Sequence, residues 1–229
     1  MKTSFRSSSV SQKFGMAATG LLLVGFLVTH LTGNLLLFAP DGSLFNAYAE
    51  KLASLGPLLY VAEIGLVAFF LFHAVTGIRL ALLKRKATPE KYAVSRSKGG
   101  PSKWGFAANN MAITGTLLLV FLILHIKHFK YGPGIAAGYV TELPGGVQAR
   151  DLHRYVVEEF KEPKEVLLYS AAMIFLGFHL RHGIWSGLQS LGLTKETNSK
   201  MFYLVGGFIG LVLALGFLSI PAYLYFFSH

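Results

Sequence analysis

Five blocks of apolar residues, each about as long as a lipid bilayer is thick, dominate this chain of 229 residues. A transmembrane helix needs about 20 consecutive apolar residues. Backbone groups in lipid must be hydrogen-bonded within their own segment, which excludes open strands. The sequence therefore predicts an all-α integral membrane bundle, one domain over residues 1–229, with five transmembrane helices at 15–38, 57–83, 105–126, 165–190 and 201–227.

Composition agrees with a membrane protein and narrows its chemistry. Hydrophobic residues make up 53% of the chain and charged residues only 14%. The net charge of +10 would suggest nucleic acid for a soluble protein, but the basic residues cluster between the apolar blocks, so we expect membrane lipid and no nucleic acid as a partner. The chain has no cysteine, which excludes disulfides, thiolate-bound iron–sulfur clusters and covalently attached haem.

Charge in the connections predicts the orientation. Residues 1–14, 84–104 and 191–200 carry 12 basic and two acidic residues, and all three lie on one side of a five-span chain. Connections 39–56 and 127–165 on the other side carry seven basic and eight acidic residues. Cytoplasmic loops are enriched in Lys and Arg, so the N-terminus is predicted to be cytoplasmic, and the protein to be multi-pass in the cytoplasmic (inner) membrane.

The predicted outer loop, 127–165, is longer than most loops. Its segment 149–163, "ARDLHRYVVEEFKEP", is typical of a short interfacial helix. We interpret His153 in this segment as an ordinary surface histidine.

Each of the first four spans contains one histidine deep in its apolar stretch. At about 1.5 Å per residue, His73 and His179 both lie roughly 15 Å from the cytoplasmic ends of their helices. His30 and His125 lie roughly 21 and 28 Å from those ends, which is one level within a helical turn. The four histidines therefore form two pairs at two depths.

Two such pairs are suited to two non-covalent b-type haems, since imidazole is the usual axial ligand in helical bundles. Gly33, Gly77 and Gly183 follow their histidines by three or four residues and so share their helix faces. We interpret these glycines as room for a porphyrin. His125 has no such glycine.

Neighbouring residues leave alternatives open at two ligand positions. His128 competes with His125, and His182 competes with His179. His128 is flanked by lysines and looks interfacial, so His125 is preferred. His182, together with Arg181 and with Arg79 of the second span, could also contact haem propionates. For Arg79, ordinary snorkelling to the interface is an equally good explanation.

Glu63 is the one acidic residue in the interior of a predicted span, since Glu165 stands at the very start of 165–190. A carboxylate in the membrane is by default a functional hypothesis, here acceptance of a proton near a quinol. A helix-packing role is the competing explanation.

The motifs around these histidines resemble the five-helix, dihaem cytochrome b subunit (b558 type) of succinate dehydrogenase and fumarate reductase. They are "THLTGNLLLF" (29–38), "FNAYAEKL" (45–52), "AEIGLVAFFLFHAVTGIRL" (62–80), "LVFLILHIKHF" (119–129) and "GFHLRHGIWSGLQSLG" (177–192). Each motif alone is modest, but their order and spacing are fairly specific, and the resemblance extends over essentially the whole chain.

The resemblance implies that His73 and His179 bind the iron of a proximal haem, and His30 and His125 that of a distal haem. It implies a flavoprotein subunit and an iron–sulfur subunit as partners, and a quinone, often menaquinone, as substrate. Electrons would pass between succinate or fumarate and quinone. The acidic residue of the quinone site is not matched by position, and Glu50 and Glu63 are both candidates.

Two other functions fit part of the pattern. One is a dihaem cytochrome b that serves another quinone-linked dehydrogenase, which the order of the motifs fits poorly. The other is a haem-free transporter with a histidine relay. The haem content of the purified chain separates this transporter from both electron carriers.

Overall fold

A computed structural model describes residues 9–87, 107 and 110–228. In this part of the chain, five long helices form a bundle: α1 (Ser9–Asn34), α3 (Pro57–Ala87), α4 (Met111–His125), α6 (Pro163–Ser190) and α7 (Ser199–Phe227). Two shorter helices, α2 (Ser43–Ala53) and α5 (Leu152–Phe160), lie in the connections. Most of the predicted connection 84–104 and the start of the predicted third span lie outside the described residues.

Among the described residues, four helical stretches are long and apolar enough to cross a membrane: Val10–Phe38, Pro57–Ala87, Met111–Lys130 and Ser199–Phe227. They correspond to predicted spans one, two, three and five. The predicted fourth span is also a long helix, α6, but its histidines, arginine and polar ends lower its mean hydropathy. The structure supports an all-α multi-pass bundle, and a membrane crossing by α6 stays a prediction.

Helix α6 forms the centre of the bundle, where it packs against α7, α4 and α1. Its buried side chains include Tyr169, Leu176, Leu180 and Trp185. In α3, by contrast, Thr76 is the only buried residue among those described. The large apolar side chains of α3 face outward. The more polar helix is therefore inside and the more apolar helix outside, as expected where lipid surrounds the protein.

The two predicted outer connections are folded. The chain forms α2 within 39–56, and within 127–165 it forms a π-helical segment (Ile126–Lys130), a hairpin of β1 (Val140–Leu143) and β2 (Val147–Arg150), and α5. The sequence did not predict this hairpin, although the long helices confirm the all-α bundle. Pro144, Gly145 and Gly146 make its turn, and both glycines have positive φ, which a tight hairpin turn favours.

We call α2, the hairpin and α5 the cap, because they pack together and close one end of the bundle. Asn46 of α2 is 4% exposed and donates a hydrogen bond to Asp151 Oδ1 over 2.8 Å. The backbone N–H of His153 donates to Asn46 Oδ1 over 2.8 Å, and Asp151 accepts from Arg154 N at the start of α5. One buried asparagine thus joins two elements more than 100 residues apart in the sequence.

Candidate cofactor site

Two pairs of histidine rings lie inside the bundle. His30 of α1 faces His125 of α4, with ring centroids 5.8 Å apart and ring planes at 88°. His73 of α3 faces His179 of α6, with centroids 6.3 Å apart and planes at 74°. These are the pairs that the depth argument predicted, and their role as ligands stays a prediction.

The second pair has a matched set of hydrogen bonds. His73 Nδ1 lies 3.0 Å from the carbonyl oxygen of Met16, to which it can only donate. His179 Nδ1 lies 3.2 Å from Thr114 Oγ1, whose own proton goes to the carbonyl of Asn110 or Met111. These contacts favour the tautomer with the proton on Nδ1 in both rings, which leaves Nε2 as the nitrogen with a free lone pair.

The first pair is less polar in its surroundings. The Asn34 amide nitrogen lies 3.4 Å from both ring nitrogens of His30. His125 Nδ1 is buried and has no hydrogen-bond partner among the described residues. Phe26 stacks on His30 and Phe121 stacks on His125. A buried nitrogen without a hydrogen-bond partner costs free energy. A group bound at this site would give the nitrogen of His125 a partner.

Two glycines that were not predicted from the sequence make room for the rings of His73 and His179. They lie on the helices that face these two rings. A Cβ at Gly20 of α1 would lie 3.0 Å from the ring of His73, and a Cβ at Gly115 of α4 would lie 3.2 Å from the ring of His179. Both glycines sit on helices that carry the other pair. A glycine ten residues before the histidine on each of two helices was the signal that could have found them.

The glycines proposed from the sequence have other neighbours. A Cβ at Gly33 would clash with the ring of Tyr48, at 2.5 Å, so this glycine lets α2 approach α1. At Gly77 and Gly183 the nearest atoms, at 3.8 Å, belong to Met16 and Met111. The prediction for Gly33 was wrong because a spacing of three residues places two side chains on the same helix face only approximately. Tyr48 occupies the space beside Gly33.

The two pairs lie at two separate levels. Gly20 of α1 lies beside the His73 ring and precedes His30 by ten residues. Gly115 of α4 lies beside the His179 ring and precedes His125 by ten residues. Ten helical residues rise about 15 Å. Two helices thus give the same separation independently.

The residues fit a porphyrin iron with one imidazole on each side. Metal–imidazole bonds of about 2.0–2.1 Å place the centroids of two opposed rings roughly 6.3 Å apart, close to the observed 5.8 and 6.3 Å. Histidine ligands of metals commonly donate their second ring nitrogen to a carbonyl or another acceptor. His73 and His179 have such an arrangement.

Other predicted site residues are more scattered. Arg79 is exposed on α3. Arg181 turns toward α7, where its guanidinium donates to Tyr203 Oη over 3.4 Å and lies 5.8 Å from the ring centroid. His182 is half-buried on α6.

The acidic candidates and His128, which competes with His125, lie near the cap. Glu63 forms an ion pair with Lys130, whose ammonium lies 5.7 Å from the ring centroid of Tyr60. Glu50 is half-buried on α2. His128 approaches Glu165, at 3.5 Å, rather than a second histidine.

His153 is half-buried rather than fully exposed. A Cβ at Gly42, which has φ of +68°, would lie 2.4 Å from the His153 ring. The interpretation as an ordinary surface residue therefore missed a packed contact.

Charge on the cap is balanced locally. Glu158 accepts hydrogen bonds from Tyr139 Oη over 2.6 Å and from Arg154 Nε over 2.8 Å, and these bonds lower its pKa. The Tyr139 pKa is raised by the same contact. Burial raises the pKa of Tyr155 to about 12, so its phenol stays neutral beneath the hairpin.

Comparison with known proteins agrees with the motifs. No curated protein and no solved structure matched the chain. A family model matched residues 14–99, which include His30 and His73 and make up less than half of the chain. This model describes the succinate dehydrogenase/fumarate reductase transmembrane subunit, and the match confirms the resemblance of the chain to a cytochrome b membrane-anchor subunit.

Proposed function

We propose that this chain is the membrane-anchor cytochrome b subunit of a succinate:quinone oxidoreductase, with two bis-histidine b haems. The observation that carries the proposal is the meeting of His30 with His125 and of His73 with His179 inside the bundle. A transmembrane subunit of this enzyme family is supported by the match over residues 14–99.

His30 and His125 would hold one haem, and His73 and His179 the other. When bound, such a group supplies reversible one-electron transfer. The chain would provide the ligands and a largely apolar surrounding. The Met16 carbonyl and Thr114 hydroxyl would fix the orientation of the rings at one level. Arg79, Arg181 and His182 remain candidates for contacts with the propionates.

The proposed complex includes a flavoprotein subunit and an iron–sulfur subunit on the cytoplasmic side, next to the pair His73 and His179. Five crossings, with a cytoplasmic N-terminus in the cytoplasmic membrane, would place the cap outside. The excess of basic residues at the opposite end of the bundle supports this orientation.

The proposed quinone, menaquinone in our preferred version, would exchange its protons near an acidic side chain. Glu63 is the better candidate, since its carboxylate lies at the edge of the bundle beside Lys130 and Tyr60. The Glu63 carboxylate, paired with Lys130, would accept a proton from a quinol. Glu50 of α2 is the second candidate.

Redox titration of the absorption in the haem α-band tests this function. We expect two components and, by pyridine haemochrome analysis, two haems per chain. His73→Ala and His179→Ala should each remove the same component, and His30→Ala and His125→Ala the other. Loss of the same component in His73→Ala and His30→Ala would show that the pairing is wrong, and a chain without haem would favour the transporter.

Purification with a tag on this chain separates the two electron carriers. We expect a flavoprotein with succinate–quinone activity to copurify. Copurification of a hydrogenase or formate dehydrogenase in its place would indicate a cytochrome of another quinone-linked enzyme.

A further inference from the structure

A second group of ligand-type side chains lies between the cap and the bundle. We propose that His128, Glu159 and Glu165 form a binding site for a divalent transition-metal ion, separate from the paired histidines. One nitrogen or oxygen of each of these residues lies within 4.8 Å of those of the other two. The site does not depend on the proposed function.

The three residues come from three different segments. His128 belongs to the π-helical segment after α4, Glu159 to the last turn of α5 and Glu165 to the first turn of α6. Single π-helical turns are often found at functional sites. A bound ion would therefore link the end of α4 to the cap and to the central helix.

Two polar atoms of the group, on His128 and Glu165, are buried and lack hydrogen-bond partners in the described part of the chain. His128 Nδ1 and Glu165 Oε2 are 3.5 Å apart, and neither has a hydrogen-bond partner among the described residues. Most native buried polar atoms have such partners. Two ligand atoms that face each other and lack hydrogen-bond partners are the arrangement expected where one ion would bind both.

Tyr169 is a further unsatisfied group beside these atoms. Its side chain is 6% exposed, and its hydroxyl has no hydrogen-bond partner in the described part of the chain. Its ring stacks on His128 with centroids 6.5 Å apart. A water bound to the ion could accept the hydroxyl proton.

The set of donors selects the class of ion. One imidazole and two carboxylates suit zinc and its first-row neighbours, whereas magnesium and calcium prefer oxygen alone. Bonds of about 2.0–2.2 Å in a tetrahedron place ligand atoms roughly 3.4 Å apart, so the side chains need to close by about 1 Å. Glu165 and His128 keep 13% and 24% of their side-chain surface exposed, so an ion can enter.

Calorimetric titration of Zn²⁺ into the full-length chain tests the site. The protein is stripped with a chelator and purified without a polyhistidine tag. We expect one Zn²⁺ per chain, and Co²⁺ in its place should give d–d absorption bands typical of nitrogen and oxygen ligands. Because loss of a residue that merely orients a ligand costs 10–100-fold in affinity, Glu165→Gln and His128→Gln should each weaken binding by at least about tenfold.

Glu162→Gln is the matched control, because Glu162 is exposed and lies three residues from both Glu159 and Glu165. It should bind Zn²⁺ as the parent does. Tyr169→Phe should weaken binding less than loss of a ligand. Circular dichroism of each variant in chelator verifies that it folds.

Three outcomes would overturn the proposal. They are no stoichiometric binding by the parent, equal affinity in the parent and in Glu165→Gln, or loss of a haem component in His128→Gln. The last would make His128 a haem ligand. A failure of the haem proposal alone would leave the Zn²⁺ titration unchanged.

Discussion

At the residue scale, the chemistry of the paired histidines depends on what their second ring nitrogens contact. A proton held on Nδ1 by an acceptor makes Nε2 more basic and fixes the ring plane. The two acceptors differ in kind. Met16 offers a backbone carbonyl that no substitution removes, whereas Thr114 offers a side-chain hydroxyl. Thr114 is therefore the position at which this effect can be tested.

Thr114→Val should raise the midpoint potential of one haem component and leave both haems bound. Without the acceptor, His179 becomes a weaker donor to the iron, which stabilises the reduced form. A hydrogen bond worth about 1 kcal/mol corresponds to about 40 mV for a one-electron couple. Redox titration measures the shift.

Thr116→Val is the matched control for this change. Thr116 lies two residues further along α4, and in the described part of the chain its hydroxyl donates to the carbonyl of Ala112. A shift of equal size in both variants would contradict a specific role for Thr114.

Gly20→Leu should remove the haem component assigned to His73 and His179. Its side chain would fill the space beside the His73 ring, where a Cβ alone comes to 3.0 Å. The absorption spectrum of the purified variant should keep the other component. Gly25→Leu on the same helix, where a Cβ meets nothing within 4 Å among the described residues, should keep both.

At the scale of elements, the cap is joined to the bundle through a few polar contacts and a small apolar core. Phe45, Val156 and Phe160 belong to the same buried cluster as Leu176 and Leu224 of the long helices. Asn46 supplies the specific polar contact between α2 and α5. The connection 127–165 is therefore part of the folded unit rather than a free loop.

Asn46→Ala should destabilise the cap by about 1–3 kcal/mol, the usual cost of leaving buried hydrogen-bonding groups unpaired. The Asp151 carboxylate and the His153 N–H would both lose a partner. Thermal unfolding followed by circular dichroism measures the effect as a lower Tm. Gln148→Ala, at an exposed position of β2, should leave Tm unchanged, and an unchanged Tm in Asn46→Ala would show that the tether is dispensable.

At the scale of the whole molecule, a membrane crossing by α6 is the prediction on which the orientation of the cap depends. It is 28 residues long and surrounded by other helices. Buried among neighbours, its histidines and arginine need no contact with lipid. A crossing by α6 places the cap and the connection between α6 and α7 on opposite sides.

Cysteine labelling tests this arrangement, since the native chain contains no cysteine. Gln148→Cys in the hairpin should react with a membrane-impermeant maleimide added outside intact cells. Glu196→Cys, between α6 and α7, should react only after the membrane is opened. Labelling of both from the same side would contradict five spans.

Much of the architecture could be predicted from local properties of the sequence. Hydropathy over about 20 residues marked the long helices, and Pro57 marked the start of α3. Counting helical rise was enough to group His30 with His125 and His73 with His179, because depth along a helix depends only on residue number. The hairpin and α2 were missed because both are much shorter than the apolar stretch of about 20 residues that marks a membrane helix.

The sequence by itself determined the apolar helices and the depth of each histidine, since both follow from residue type and a constant rise per residue. Only the tertiary structure decided which groups face those histidines, because that depends on how each helix is rotated about its axis against its neighbours. The contacts of His73 with Met16 and Gly20, and of His179 with Thr114 and Gly115, arise in this way. The same rotation set His125 against His30 and turned His128 toward Glu165.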